Sequence, residues 1–122
     1  MKKLVKPIRA ICSLFLYLLL VDMIKYIQLL KSRKEDKKFE ARFFDIDKKK
    51  IKSVNFGAKG MSDFTKHKDE ERKQRYLNRH EKNENWNDPL SRGALSRWIL
   101  WNKPTLSASY NDYLKKFNLL KY

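Results

Sequence analysis

The chain has 122 residues, of which 29 are Lys or Arg and 14 are Asp or Glu, and its formal net charge is +15. This length fits one small domain, and a charge of this sign and size favours polyanions or acidic protein surfaces as partners. Cys12 is the only cysteine, which excludes an internal disulfide framework. His67 and His80 stand thirteen residues apart without a second cysteine, so no ligand set for a tetrahedral zinc site exists. We therefore expect neither a metal nor a cofactor.

An uncharged apolar run of twelve residues extends from Ala10 to Val21. The run alone is too short to span a membrane, since about 20 apolar residues are needed to cross about 30 Å of hydrocarbon. Further apolar residues between Leu4 and Leu30 lengthen it, and flanking Lys and Arg side chains can reach the headgroups. The sequence therefore predicts a membrane anchor helix over residues 1–31, with a cleaved signal, an interfacial helix and a buried soluble helix as alternatives. The predicted membrane contacts are Leu14, Phe15, Leu16, Leu18, Leu19, Leu20 and Val21.

A basic juxtamembrane linker is predicted over residues 32–38, where no apolar residue occurs, and a small basic domain over residues 39–122. From Phe39 to Phe43 apolar and charged residues alternate, and a second short apolar pattern runs from Ile51 to Phe56. This alternation predicts a β-hairpin over residues 39–56. Because two strands alone are marginally stable in water, the hairpin must pack against something else.

The next stretch predicts a helix over about residues 66–83, capped by Ser62 or Thr65 and acidic in its early turns. At 100° per residue, five basic residues of this helix fall within an arc of about 80° and form a continuous stripe. These predicted partner-binding residues are Lys68, Arg72, Arg75, Arg79 and Lys82.

Two interpretations of the basic stripe stay open. In the first, the stripe is a solvated face stabilised by the i,i+4 pairs Asp69 with Lys73 and Glu71 with Arg75. In the second, it contacts acidic protein surfaces or phosphates, and binding to a duplex would then weaken steeply with salt. No base-reading element accompanies the stripe, so any nucleic-acid binding should be non-specific.

Aromatic residues concentrate after Asn83, and their spacing predicts two short helices, over about residues 94–102 and 106–117. Their apolar stripes, which include Trp98 and Tyr113, are interpreted as the domain core. The predicted fold class is α+β and mostly helical: an N-terminal membrane helix, a short β-hairpin and then about three helices.

The sequence does not predict an enzyme. On one continuous helix His67 and His80 would lie about 120–140° apart around the axis, so they would not converge on a single reacting atom. The stretch from Gly57 to Gly60 lacks the length and the Lys-Ser/Thr ending of a phosphate-binding loop.

Residues from Phe56 to Phe117 carry a pattern of Gly, His, Trp and Pro at fixed spacings. The elements of the pattern are Phe56-Gly57-Ala58 with Gly60, Ser62-Asp63-Phe64-Thr65, His67-Lys68-Asp69, Arg72-Lys73, Arg75-Tyr76, Arg79-His80, Trp86 with Asp88-Pro89, Ser96-Arg97-Trp98, Trp101-Asn102 and Pro104-Thr105-Leu106. This half of the chain resembles a small domain of unassigned activity found in large icosahedral DNA viruses of algae and amoebae, of the phycodnavirus and mimivirus kind. It departs from that pattern at Phe64, where a tyrosine is expected, and at Leu90-Ser91-Arg92, where smaller residues are expected.

The resemblance implies a minor virion structural protein, because such viruses enclose an internal membrane beneath a capsid lattice. The expected role is to anchor in that membrane and dock the basic domain under the major and minor capsid proteins. Localisation in the virion, and on host internal membranes during assembly, follows from the same expectation. The alternative is a membrane-tethered protein that binds nucleic acid non-specifically, which the basic stripe and the total charge favour.

Overall fold

A computed structural model describes residues 21–122, which fold around a four-stranded mixed sheet. The strands are β1 (Tyr26–Lys31), β2 (Lys37–Phe44), β3 (Lys50–Ala58) and β4 (Leu120–Lys121). Their order across the sheet is β3-β2-β1-β4. The strand pairs β1–β2 and β2–β3 are antiparallel, whereas β4 returns from the end of the chain and runs parallel to β1.

Short helices connect β3 to β4. They are α1 (Phe64–His67), α2 (Glu70–His80), α3 (Arg92–Leu95), which continues as a π-helical segment over Ser96–Leu100, and α4 (Leu106–Lys116). Each α-helix begins after a side chain that accepts a hydrogen bond from a backbone N–H of its first turn, which satisfies donors that a helix start leaves unpaired. These capping residues are Asp63, Asp69, Ser91 and Thr105.

The core lies on one face of the sheet. Because side chains alternate between the two faces of a strand, Ile27, Ala41 and Phe43 of neighbouring strands point to the same side. All three are fully buried. The helical region and its loops supply the other half of the core: Leu90, Leu95, Ile99, Leu100, Tyr113 and Leu119.

The predicted fold class, mostly helical with an N-terminal membrane helix, is wrong. Of the described residues, 37% are helical and 25% lie in strands, and a four-stranded sheet is the framework of the fold. The predicted anchor helix over residues 1–31 does not persist to its end, because Tyr26–Lys31 is strand β1. Ile27 and Leu29 oppose Phe43 and Ala41 of β2. Apolar residues that resemble the continuation of a membrane helix therefore belong to the core of the domain.

The transmembrane prediction needs the same correction. Within residues 21–122, none of the helices combines the length and the apolar character that crossing a bilayer requires. Val21 packs, partly buried, against the hydrophobic core. The other predicted membrane residues lie outside the described part of the chain: Leu14, Phe15, Leu16, Leu18, Leu19 and Leu20.

Most of the remaining predicted elements differ from the structure at their ends, but one predicted helix is divided in two. Residues 32–36 of the predicted linker form the turn between β1 and β2, and residues 37–38 begin β2. The hairpin predicted over residues 39–56 coincides with β2 and β3. The helix predicted over residues 66–83 is two helices, α1 and α2, while those predicted over 94–102 and 106–117 correspond to α3 with its π-helical segment and to α4.

Candidate functional site

The basic stripe is divided because the predicted helix is interrupted at Lys68. This residue adopts the left-handed conformation, with φ 55°, and ends α1, after which Asp69 caps α2. The Asp69 carboxylate accepts hydrogen bonds from the N–H groups of Glu71, at 3.0 Å, and of Arg72, at 3.4 Å. Lys82 lies beyond the last residue of α2. Only the middle three stripe residues therefore share one helix.

We call Arg72, Arg75 and Arg79 of α2 the arginine face. All three are exposed. At 100° per residue they occupy an arc of about 60°, and they extend over about 10 Å along the helix axis. Three cations are thus presented in a row on one rigid element.

No acidic side chain of residues 21–122 forms an ion pair with the arginine face. The ion pairs in this part of the chain join Arg33 and Arg42 to Glu40, Lys38 to Asp63, and His80 to Glu84. The two i,i+4 pairs expected from the sequence are absent from this set. Lys73 instead donates to the backbone carbonyl of Asn102 at 2.8 Å and lies over the ring of Phe64, which ties α2 to the loop before α4. Within residues 21–122 the charge of the arginine face is consequently not offset by an ion pair.

A row of stacked rings holds α2 against the rest of the domain. Tyr76 lies between His80, with ring centroids 4.3 Å apart, and Trp101, with centroids 4.2 Å apart and planes nearly parallel. His67 continues the row beyond Trp101 at 5.3 Å. Trp101 is positioned by the π-helical segment. The backbone N–H of Trp101 closes the wider turn of this segment by donating to the carbonyl of Ser96 at 3.0 Å. Burial raises the pKa of the Tyr76 hydroxyl, consistent with a packing role for this ring.

The two histidines occupy opposite ends of this row. His67 Nδ1 accepts a hydrogen bond from the Asp69 N–H at 2.9 Å, whereas His80 Nδ1 lies 3.1 Å from Glu84 Oε2. The other oxygen of Glu84 accepts from the Trp86 indole at 2.9 Å. Two stacked rings separate the histidines, so they do not address a common reacting atom. Residues 21–122 also contain no group of three His, Cys, Asp or Glu side chains placed to hold a metal ion.

A cleft of about 350 Å³ opens beside Arg79, between α2, the end of β3 and α3. Its aromatic lining comes from Phe56, Tyr76 and Trp101, and Arg92 lies across from α2. Gly93 is required here, because a Cβ atom at this position would meet the side chain of Glu84 at 2.9 to 3.1 Å. The cleft therefore joins an apolar floor to a cationic rim.

Both carboxylates of the cleft are already paired. Asp63, 2% exposed, lies 2.5 Å from the ammonium of Lys38, and Glu84 is held by His80 and Trp86. Lys37, Arg79 and Arg92 also line the cleft and take part in no ion pair within residues 21–122. An anionic group would be attracted to this rim.

Lys37 and Arg92 were not predicted as site residues. Lys37 falls in the segment interpreted as a linker, where a charge run indicates solvation rather than a site. Arg92 carries no local sequence signal for a site, and only the fold places it in the same cleft as Arg79.

Comparison with known proteins gives one similarity. Residues 27–80, from β1 through α2, match the model of a family described as a family of unknown function (DUF5754). This match covers less than half of the chain and brings no activity with it. A search of curated proteins and a search of solved structures each returned no significant match. The resemblance to viral domains stays a prediction.

Proposed function

We propose that this domain is a non-enzymatic module that binds the phosphate backbone of nucleic acid through the arginine face. The single observation that supports the proposal most is that Arg72, Arg75 and Arg79 are exposed, aligned on one helix and unpaired by any acidic residue within residues 21–122. Arginine suits this role, since its planar guanidinium donates two parallel hydrogen bonds to a phosphate and does not lose its charge.

The surrounding charge favours the same partner. The Lys and Arg residues outnumber the Asp and Glu residues by 29 to 14. Such an excess attracts polyanions over distances limited by the Debye length, about 8 Å at physiological salt. Contacts to phosphates carry no base sequence, so the module should bind duplexes of different sequence with equal affinity.

The test is fluorescence anisotropy with the full chain and two duplexes of unrelated sequence. The double charge reversal Arg75→Glu and Arg79→Glu should weaken binding to both duplexes by about 10- to 100-fold, about 1.4 kcal/mol for each factor of ten. The matched control is Lys49→Glu with Lys115→Glu, which changes the net charge equally at exposed positions away from α2. Equal losses in the two variants would mean that total charge, not the arginine face, determines affinity and would contradict the proposal.

Docking on an acidic protein surface, such as the underside of a capsid shell, is a second candidate. The cleft beside Arg79 favours it, because an apolar floor with a cationic rim also fits an apolar side chain flanked by carboxylates. The viral setting itself rests on the resemblance. In purified particles of such a virus, crosslinking from Arg79 replaced by a photoreactive residue should capture a capsid protein. Capture of nucleic acid alone would support the first proposal against this one.

A further inference from the structure

A second basic pocket lies at the free edge of β3. It has a volume of about 340 Å³ and is lined by side chains from three separate parts of the chain. Lys34 comes from the turn between β1 and β2, Lys52 from β3, and Arg92 from the first position of α3. All three are exposed. The fold thus collects three cations that are far apart in the sequence.

The pocket has a net positive charge. No carboxylate is among its lining residues, and none of the three cations forms an ion pair within the described part of the chain. Two carboxylates border it: Glu40 accepts a hydrogen bond from the pocket residue Ser53 at 2.5 Å, and Asp88 accepts one from the N–H of the pocket residue Leu90 at 3.0 Å. Arg42 and Arg33 already offset the charge of Glu40, at 3.0 and 3.5 Å. An anion entering the pocket would meet three cations and no carboxylate in the lining itself.

A neutral donor completes the lining. Asn55 lines the pocket, and its side-chain oxygen accepts a hydrogen bond from the hydroxyl of Ser32 at 2.5 Å, while its amide nitrogen can donate two hydrogen bonds. Buried Val54 and Leu90 form the apolar part of the wall and offer no competing acceptor. The two ammonium groups and the guanidinium are donors only, the amide nitrogen of Asn55 adds two N–H donors, and a phosphate oxyanion can accept from all of them.

We propose that the pocket of Lys34, Lys52 and Arg92 is a phosphate-binding site. Arg92 also lines the cleft that contains Arg79, so this pocket and that cleft share a cation. A nucleic-acid strand that lies on the arginine face can continue over Arg92 into the pocket. That the phosphate belongs to a nucleic-acid backbone rests on the proposed function, whereas the phosphate site itself does not.

The experiment compares the full wild-type chain with the triple variant Lys34→Gln, Lys52→Gln and Arg92→Gln. Its control is Lys49→Gln, Lys66→Gln and Lys115→Gln, which removes the same charge at exposed positions. Two probes are used: inorganic phosphate, followed by the NMR signals of the Asn55 side-chain amide, and a random-sequence duplex, followed by the salt dependence of its affinity.

Phosphate should shift the Asn55 amide signals saturably in the wild type and in the control, and leave them unmoved in the pocket variant. The slope of log affinity against log salt should become shallower by up to about 2.7 in the pocket variant, since each backbone contact contributes about 0.9. A phosphate response without a change in slope would identify a small phosphate compound as the ligand and keep the site. Asn55 signals that do not respond to phosphate in the wild type, with an unchanged duplex slope in the variant, would overturn the proposal. If in that case the arginine-face variant Arg75→Glu with Arg79→Glu still loses duplex binding, the pocket proposal fails while the proposed function stays intact.

Discussion

Glu40 offers a sharp test of the electrostatics of this surface. It lies between Phe39 and Ala41 on β2, so its side chain points away from the core face of the sheet. The side chain is nevertheless only 3% exposed, and its carboxylate accepts hydrogen bonds from Ser53 and Arg42. We consider the substitution Glu40→Gln, which keeps the shape of the side chain and removes its charge.

The magnitude follows from the pKa of Glu40. Hydrogen bonds from Ser53 and Arg42, followed by the charges of Arg42 and Arg33, lower this pKa from 4.5 to about 2. At full strength a displacement of that size corresponds to about 3 kcal/mol of folding free energy. Arg33 is 78% exposed and Arg42 is 27% exposed, so solvent screens part of the interaction and we expect a loss of about 1–2 kcal/mol.

The assay is thermal unfolding of the wild type and of Glu40→Gln between pH 7 and pH 2. A lowered carboxyl pKa stabilises the folded state above pH 4.5, and this contribution is lost as the pH falls from there towards 2. At pH 7 the variant should unfold about 4–15 °C lower, since 1 kcal/mol moves the Tm of a small domain by about 4–8 °C. The difference should shrink through the acid range. The control Glu35→Gln, at an exposed position, should change stability by less than about 0.5 kcal/mol. A wild-type advantage that is equally large at pH 2.5 would show that the charge of Glu40 is not the source of the stabilisation.

Two further predictions concern buried polar groups, and both are tested by measuring the free energy of unfolding in urea. Asp63→Ala leaves the ammonium of Lys38, whose side chain is 9% exposed, without its partner and removes the cap of α1, so it should cost about 3–5 kcal/mol. Adding Lys38→Met to this variant should restore part of the lost free energy of unfolding. If the losses of the two single variants simply add in the double variant, Asp63 and Lys38 are not coupled, which would contradict the prediction. Tyr113→Phe should cost about 1–2 kcal/mol, because the fully buried hydroxyl donates to the carbonyl of Pro89 at 2.8 Å. Tyr110→Phe should cost less free energy of unfolding, because the half-buried Tyr110 hydroxyl donates to the carbonyl of Ile27 at the longer distance of 3.3 Å. A larger loss for Tyr110→Phe than for Tyr113→Phe would show that burial does not set these energies.

The hairpin of β2 and β3 was predictable because its signal is local. Phe39, Ala41 and Phe43 alternate with charged residues, and the structure places them on the buried face of β2. The position of α4 was predictable for a similar reason, since Thr105 caps the helix and Tyr113 lies on its inward face. In both cases the pattern and the burial agree over a few consecutive residues.

Strand β1 was not predictable from its own residues. Tyr26–Lys31 follows an apolar run directly, and a leucine-rich segment in that position fits a helix as well as a strand. Pairing with β2 makes this segment a strand, because the pairing buries Ile27 against Phe43 of the neighbouring strand. The short strand β4 likewise exists only because the end of the chain returns beside β1.

The candidate site was predictable in part. The stripe from Lys68 to Lys82 indicated where the cations would lie, and the structure leaves Arg72, Arg75 and Arg79 together on α2. The left-handed conformation of Lys68 interrupts the predicted helix and leaves this residue outside α2. The convergence of Lys34, Lys52 and Arg92 is a long-range property of the fold, for which a single sequence carries no signal.

The most direct test of the account is the salt dependence of duplex binding by the full chain, measured between 50 and 200 mM salt. The wild type is compared with the variant Arg72→Gln, Arg75→Gln and Arg79→Gln. If the arginine face contacts three backbone phosphates, the slope of log affinity against log salt should be shallower by about 2.7 in the variant, because each contact contributes about 0.9. Parallel lines for the two proteins would show that these arginines do not contact the duplex, and would contradict the account.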